Sequence, residues 1–279
     1  MDTAEIGIAF QADKSPGRYG ELAAAAEAYG FDVVSVFADL LDQPPLPALL
    51  EMARATSRVG LGAACLNPYT QHPYEIAGGL AALDAVCGGR AYVGLARGAW
   101  LEAIGIEQHH PLDYLRDTAA IVRALLSGDE RGYAGAAYRL TPGVRLRYPL
   151  PGRLPPLLLG TWGPRGAALG GEIADEVKVG GSANPAVVAD LDPTTELPDG
   201  FAGRLRDLVT AGRDEAAGAL IPDEVLDRFA FSGTPAHVAG QARRVLEAGA
   251  GRIDFGAPHG LSDAEGVALL GTAVLPRLR

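Results

Sequence analysis

The stretch Gly160-Thr161-Trp162-Gly163-Pro164-Arg165-Gly166 has the composition of an anion cradle. Glycine lets main chain approach a ligand closely, and a proline at the first helical position gives up an N–H that a helix start leaves unused. The remaining N–H groups of such a helix start, with its dipole, attract negative charge, so a phosphate is the natural occupant. The plain alternative is an ordinary Gly/Pro turn. Arg97, in the second glycine-bearing turn Ala96-Arg97-Gly98-Ala99, offers a guanidinium to a carboxylate or phosphate, or is a solvated loop cation. Asp39 follows the apolar run Val33 to Phe37, and a strand end of this kind holds a catalytic or cofactor-contacting side chain in many barrels. Its rival role is a helix cap.

Gly62-Ala63-Ala64-Cys65-Leu66-Asn67-Pro68-Tyr69 is rich in small residues, which invites a flat group, such as a ring system, to pack on its backbone. Close helix packing outside the strand is the other reading. Cys65 has no His or basic residue beside it in sequence to activate it, so a structural role is preferred to a nucleophilic one. Among the five histidines, His72 follows this segment and is the candidate for a substrate-side role, and His259 lies in the Gly-Ala-Pro-His-Gly turn near the C-terminus. Zinc-protease, nucleophile-elbow and Rossmann signatures are absent from the sequence.

These turns sit in a repeated rhythm of short apolar strand, turn and amphipathic helix. Strands are expected at Ile6–Phe10, Val33–Phe37, Val59–Leu66, Ala91–Leu95, Pro156–Leu159, Glu176–Val179 and Arg252–Phe255, with helices between them. That is the pattern of an α/β fold of the (β/α) barrel, or TIM, type, in which chemistry collects on the loops after the strands. From Pro185 to Phe231 helix signals recur around Val187, Leu205 and Val225 without an apolar strand, so the seventh strand is expected to be lost or irregular. Tyr133 to Tyr148 reads as a β-like excursion.

A chain of 279 residues, 48% hydrophobic, suits one barrel domain over residues 1–279. A formal charge of −10 argues against nucleic acid and anionic membrane as partners and leaves small molecules. With no leader-like block or membrane-length apolar run, a soluble cytoplasmic protein is expected. Its two cysteines do not make a disulfide framework, and its two lysines, Lys14 and Lys178, read as a coding preference for arginine.

In their order these motifs resemble the luciferase-like oxidoreductases, in particular the branch that uses the deazaflavin coenzyme F420, nearest the methylenetetrahydromethanopterin reductase type. The resemblance is carried by Gly30-Phe31-Asp32, Gly62 to Tyr69, Leu83-Asp84 with Gly89-Arg90, and Gly94 to Gly98. It continues in Gly160 to Arg165, Gly171 to Asp175, Ser182 to Pro185 and Gly233-Thr234-Pro235. It implies hydride transfer between F420 and a small organic substrate, with the ring across the barrel mouth on a strand-three bulge that contains a non-prolyl cis peptide, here at Ala64-Cys65.

Carried over position by position, the resemblance assigns coenzyme contacts to Ala64, Cys65, Asn67, Arg97, Gly98, Gly160, Thr161, Trp162, Gly163 and Arg165, and a place near the reactive carbon to Asp39. No metal is implied, and a homodimer is the family habit. Ala99 stands where many relatives have an acid, with Glu102 as a speculative substitute. The competing readings are an FMN-dependent monooxygenase of the same fold and a cofactor-binding relative without turnover.

Overall fold

Short β-branched runs and longer amphipathic runs alternate through the first half of the chain, and strand and helix alternate with them. The computed structural model describes residues 4–190, 197 and 199–279. β1 (Glu5–Phe10) leads to α1 (Arg18–Tyr29), β2 (Val33–Val36) to α2 (Pro45–Ala55), β3 (Gly60–Leu66) to α3 (Pro73–Cys87), and β4 (Ala91–Leu95) to α4 (Pro111–Ser127). A small antiparallel hairpin, β5 (Tyr133–Ala134) with β6 (Arg139–Leu140), is the expected excursion. β7 (Leu157–Gly160), α5 (Pro164–Ile173) and β8 (Glu176–Lys178) resume the rhythm. Four short helices follow, α6 (Pro185–Asp190), α7 (Phe201–Thr210), α8 (Asp214–Gly218) and α9 (Asp223–Phe229). The chain then ends with α10 (Pro235–Glu247), β9 (Arg252–Gly256) and α11 (Asp263–Leu269) with two further short turns. Pro45, Pro73, Pro111, Pro164, Pro185 and Pro235 each open a helix, where a missing N–H costs nothing.

Seven strands form one parallel sheet in the order β8-β7-β4-β3-β2-β1-β9. The sheet curls through 249° and leaves its edges 9 Å apart, which makes it a (β/α) barrel opened at one strand. The opening lies between β8 and β9, where helices α6 to α9 replace a strand among the described residues. Residues 191–196 and 198, within the stretch expected to lack the strand, lie outside the described residues.

Because side chains alternate across a strand, Ile6, Ile8, Phe10, Leu61, Val93, Leu157, Ile253 and Phe255 point outward and join Leu22, Met52, Ile76 and Ile121 of the helices in the main core. The inner face is different. Barrels of this type usually fill their interior with bulky branched residues; here Val33, Tyr92 and Leu158 form a small apolar cluster with Cys65 against it. Glycines make room for it. A Cβ at Gly62 would stand 2.5 Å from the Tyr92 carbonyl oxygen and 2.6 Å from its ring, so the flat group that packs on this backbone is the chain's own Tyr92. The Tyr92 and Ser35 hydroxyls meet at 2.6 Å, and burial pushes the phenol pKa up.

Charged residues complete the interior. Lys178 of β8 pairs with Asp254 of β9, and Arg252 Nε lies 3.1 Å from Glu176 Oε1 and 3.7 Å from Asp254 Oδ1. The guanidinium also sits 5.0 Å over the Tyr92 ring. Burial favours a neutral Asp254, yet Lys178 and Arg252 outweigh it and hold the carboxyl below its usual range. A Cβ at Gly7 would come within 2.0 Å of Asp254 Oδ1, so β1 must be bare there.

Candidate active site at the barrel mouth

At the C-terminal end of β3 the register with β4 slips between Ala63 and Leu66, and the Ala64-Cys65 peptide is cis, at the place the resemblance implied. The bulge turns the Cys65 thiol into the barrel. There Gly94 and Gly160 leave room: a Cβ at either would lie 3.0 Å or 2.9 Å from the sulfur. Burial pushes the thiol up to about 11, with Lys178 acting against it, so Cys65 is a thiol and not a nucleophile near neutrality.

The turn after β7 sits beside that bulge. Thr161 N–H still pairs with the Lys178 carbonyl at 2.9 Å, after which the chain leaves the sheet and starts α5 at Pro164. No side chain caps this helix start, whose cap position is Gly163. A Cβ at Gly166 would stand 1.9 Å from Thr161 Oγ1, so the Thr161 hydroxyl rests on the first turn only because residue 166 has no side chain. The Trp162 indole is exposed and lies over Gly181. Arg165 is exposed and makes no ion pair among the described residues.

On the other side of the bulge, Asn67 is buried and its Oδ1 accepts from the N–H groups of Tyr69 (3.1 Å) and Thr70 (3.0 Å) and from the Thr70 hydroxyl (3.1 Å). This orders the β3 turn. Gly98, at φ 84°, packs directly on it, where a Cβ would be 3.0 Å from Asn67 Cβ. Arg97 is exposed, forms no ion pair among the described residues, and has its carbonyl held by the Gln108 amide.

Asp39 lies at the rim in a cavity of about 200 Å³ between the loops after β2, β3 and β4. Burial and then the neighbouring Asp42 raise its pKa, against a side-chain hydrogen bond from Gln11. Ala99 also lines this cavity, whereas Glu102 is exposed and does not. A larger depression of about 430 Å³ lies outside the barrel, between α4 and the hairpin, and shares no residue with the mouth.

Two histidines read as rim candidates serve the scaffold. His72 caps α3, its Nδ1 accepting the Tyr74 N–H at 3.3 Å. His259 is buried against Phe10, between Asp263 Oδ1 (3.1 Å) and the Phe255 carbonyl (3.2 Å). The lysines are more than a coding preference in their use: Lys14 joins Asp263 at 3.1 Å, and Lys178 joins Asp254. The interior set of Glu176, Lys178, Arg252, Asp254 and Tyr92 escaped the sequence reading. Its signal was the alternation of charge with Val177 and Ile253 in strands read as apolar.

The luciferase-like monooxygenase family model matches residues 2–196. The chain is 24% identical to the 5,10-methylenetetrahydromethanopterin reductase of Archaeoglobus fulgidus, over 99% of this chain and 100% of that one. It is 26% identical to the F420-dependent glucose-6-phosphate dehydrogenase of Nakamurella multipartita, over 95% of this chain and 93% of that one. Among solved structures, the coenzyme F420 dependent tetrahydromethanopterin reductase from Methanopyrus kandleri superposes with a TM-score of 0.87 at 21% identity, covering 99% of this chain and all of the other. Among the described residues no helix is long and apolar enough to cross a membrane.

Proposed function

The chain belongs to the luciferase-like monooxygenase family, and from that premise we propose that it is an oxidoreductase transferring hydride between coenzyme F420 and a small organic substrate. The observation that carries this reading is the uncapped start of α5 above a glycine turn, beside the β3 bulge at the barrel mouth. The residues present fit the coenzyme. A phosphate needs N–H groups at a helix start and no Cβ in the way; α5 has no side-chain cap and Gly160, Gly163 and Gly166 carry no Cβ, while the Gly163 N–H meets Thr161 Oγ1 at 3.5 Å, a long contact that a phosphate oxygen would replace. The names of the similar reductases and dehydrogenases favour F420 over FMN.

When bound, the coenzyme supplies a hydride, and with it two electrons, at its ring carbon. This chain supplies everything else. The turn from Gly160 to Arg165, with Thr161 and Trp162, would hold the phosphate; Ala64, Cys65 and Asn67 would form the platform for the ring. Arg97 and Gly98 would meet its polar edge or tail. Asp39, exposed at the rim, would hold or move a proton at the substrate.

The test is a fluorescence titration of the purified protein with F420, followed by hydride exchange with the reduced coenzyme. Saturable binding with exchange is the expected result. A protein that stays dark to F420 but is isolated yellow, with FMN bound and oxygen consumed, would replace this reading with the monooxygenase one. Binding of F420 with no exchange to any acceptor would leave a cofactor-binding relative without turnover, a reading that Ala99 favours.

A further inference from the structure

The cavity beside Asp39 has a chemical character of its own. Its walls are part carbon, from Leu40, Leu66 and Leu101 among others, and part neutral polar, from Gln43, Thr70 and Gln71, and no lysine, arginine or histidine lines it. The charged groups that do are two carboxylates, Asp39 and Asp42. At about 200 Å³ it is well below the roughly 300–1,000 Å³ of sites that take drug-sized ligands.

The rim also carries apolar side chains. Leu41 and Trp100 both line the cavity and stand 85% and 64% exposed, which is a large hydrophobic area to leave in water at a functional face. Both hold left-handed backbone, φ 71° and 56°, a conformation that side-chain-bearing residues rarely adopt and that is retained where a site requires it.

We propose that this cavity takes the reacting end of a small uncharged alcohol or ketone and turns away phosphorylated and carboxylated substrates. The inference rests on the coenzyme reading for placing the reacting carbon here. An anionic group brought into this space would lose water, find no cation and face Asp42 and the ionised form of Asp39, which is the costly way to bury a charge. An uncharged carbonyl loses little, covers the carbon walls and needs one hydrogen-bond donor. Gln43, Thr70 and Gln71 line the same space with such donors, and Asp39, exposed at the rim, is the proton source in its protonated form, which partial desolvation and Asp42 favour.

In the reduction the carbonyl carbon accepts the hydride with its two electrons as the reduced coenzyme is oxidised, the C=O π bond breaks, and the oxygen takes the Asp39 proton. The carboxylate regains its proton from solvent. Oxidation of an alcohol runs the same steps in reverse.

The chain's two tryptophans allow a direct test, because Trp100 lines this cavity and Trp162 lies on the Gly160 turn. Cyclohexanol, cyclohexyl phosphate and cyclohexylamine share one ring and differ in charge. Each is titrated, with and without F420, into a Trp162→Phe variant that reports Trp100 emission and a Trp100→Phe variant that reports Trp162. The wild-type protein is followed in parallel by ligand-induced thermal shift. Cyclohexanol is expected to shift Trp100 emission saturably, at least tenfold more tightly than the phosphate, while the phosphate moves Trp162 in the protein without F420. Asp42→Arg is expected to bring the phosphate into the cavity with at least a tenfold gain. Equal or tighter binding of the phosphate or the amine at Trp100, or no saturable binding of cyclohexanol by either readout, overturns the proposal. Because the arms without F420 read the cavity alone, failure of F420 to bind would sink the coenzyme reading and leave the charge selectivity to be judged separately.

Discussion

The ammonium of Lys178 and the carboxylate of Asp254 meet inside the barrel, one from each of the two strand edges that face each other across its opening. Main-chain hydrogen bonds would join these edges through the strand that is missing, and here side chains join them instead. Arg252 and Glu176 repeat the arrangement one step along the same strands, so the closure is a four-residue network and not a single pair. These side chains bridge the opening from within, while the main-chain groups of β8 and β9 that face it have no strand partner among the described residues.

A network of buried charges is most sensitive to the loss of one member, since the partner is then left desolvated and unpaired. Asp254→Ala, which strands Lys178 and Arg252, is expected to cost about 3–5 kcal/mol in urea unfolding. The apolar double replacement Lys178→Met with Asp254→Leu should cost less than Asp254→Ala alone. A single variant within about 1 kcal/mol of wild type would mean that the helices α6 to α9, not the charges, hold the opening.

The barrel was legible in the sequence because its outer face repeats apolar residues at strand and helix periods, from Ile6 and Ile8 through Ile253 and Phe255. The lost strand was legible in the same way, as an interruption of that rhythm after Asn184. The interior was not. Glu176 with Lys178 and Arg252 with Asp254 alternate with Val177 and Ile253, but the two strands lie far apart in sequence, and only closure of the sheet brings the pairs together. Of the mouth, the Gly160 turn was readable from its glycines, whereas the β3 bulge was implied only by the family resemblance. The scaffold roles of His72 and His259 depended on partners that sequence does not reveal, Tyr74 N–H for the first and Asp263 with the Phe255 carbonyl for the second.

The opposite end of the barrel carries its own carboxylate anchor. Glu27 of α1 is buried and accepts the N–H groups of Ser57 (2.9 Å), Arg58 (2.6 Å) and Val59 (3.0 Å), which fixes the entry into β3. Burial alone would raise its pKa, but these donors bring it from 4.5 to about 2. A depressed carboxyl stabilises the fold fully above its unfolded pKa, and this contribution, about 3 kcal/mol at most, is lost as the pH falls from 4.5 to about 2. Glu27→Gln is expected to lower stability at pH 7 by about 2 kcal/mol and to flatten the pH dependence in that window. Unfolding curves at pH 7, 4 and 2.5 for both proteins decide it; parallel acid loss in the variant would move the effect to other carboxylates.

Helix α5 offers a matched pair of substitutions. Alanine at Gly166 brings a Cβ within 1.9 Å of Thr161 Oγ1 and 2.9 Å of Thr161 Cβ, so the turn must give way. At Gly171, in the same helix, a Cβ meets nothing within 4 Å. Gly171→Ala is expected to stabilise by roughly 0.5–1 kcal/mol, as Gly to Ala does inside a helix, and to leave F420 binding alone. Gly166→Ala is expected to weaken F420 binding at least tenfold, as measured by fluorescence. Equal binding by the two variants would remove the Gly160 turn from the coenzyme site.

Asp39 is the residue on which turnover should depend most steeply. Proton transfer by a positioned carboxyl contributes typically 10²–10⁴ in rate, so Asp39→Asn is expected to lower kcat by about 10²-fold or more, with the dissociation constant for F420 nearly unchanged. Its pKa lies above the ordinary 3.8, through partial desolvation first and Asp42 second, so the protonated donor persists to higher pH than it would without them. Carbonyl reduction should therefore fall as the pH rises through that raised value. Removing the second cause with Asp42→Asn should shift the falling limb toward 3.8 without abolishing it, whereas Asp39→Asn should remove the limb itself. A variant lacking the Asp39 carboxyl that keeps both its rate and its limb would take the proton out of this residue's hands and return the role to solvent or to Glu102.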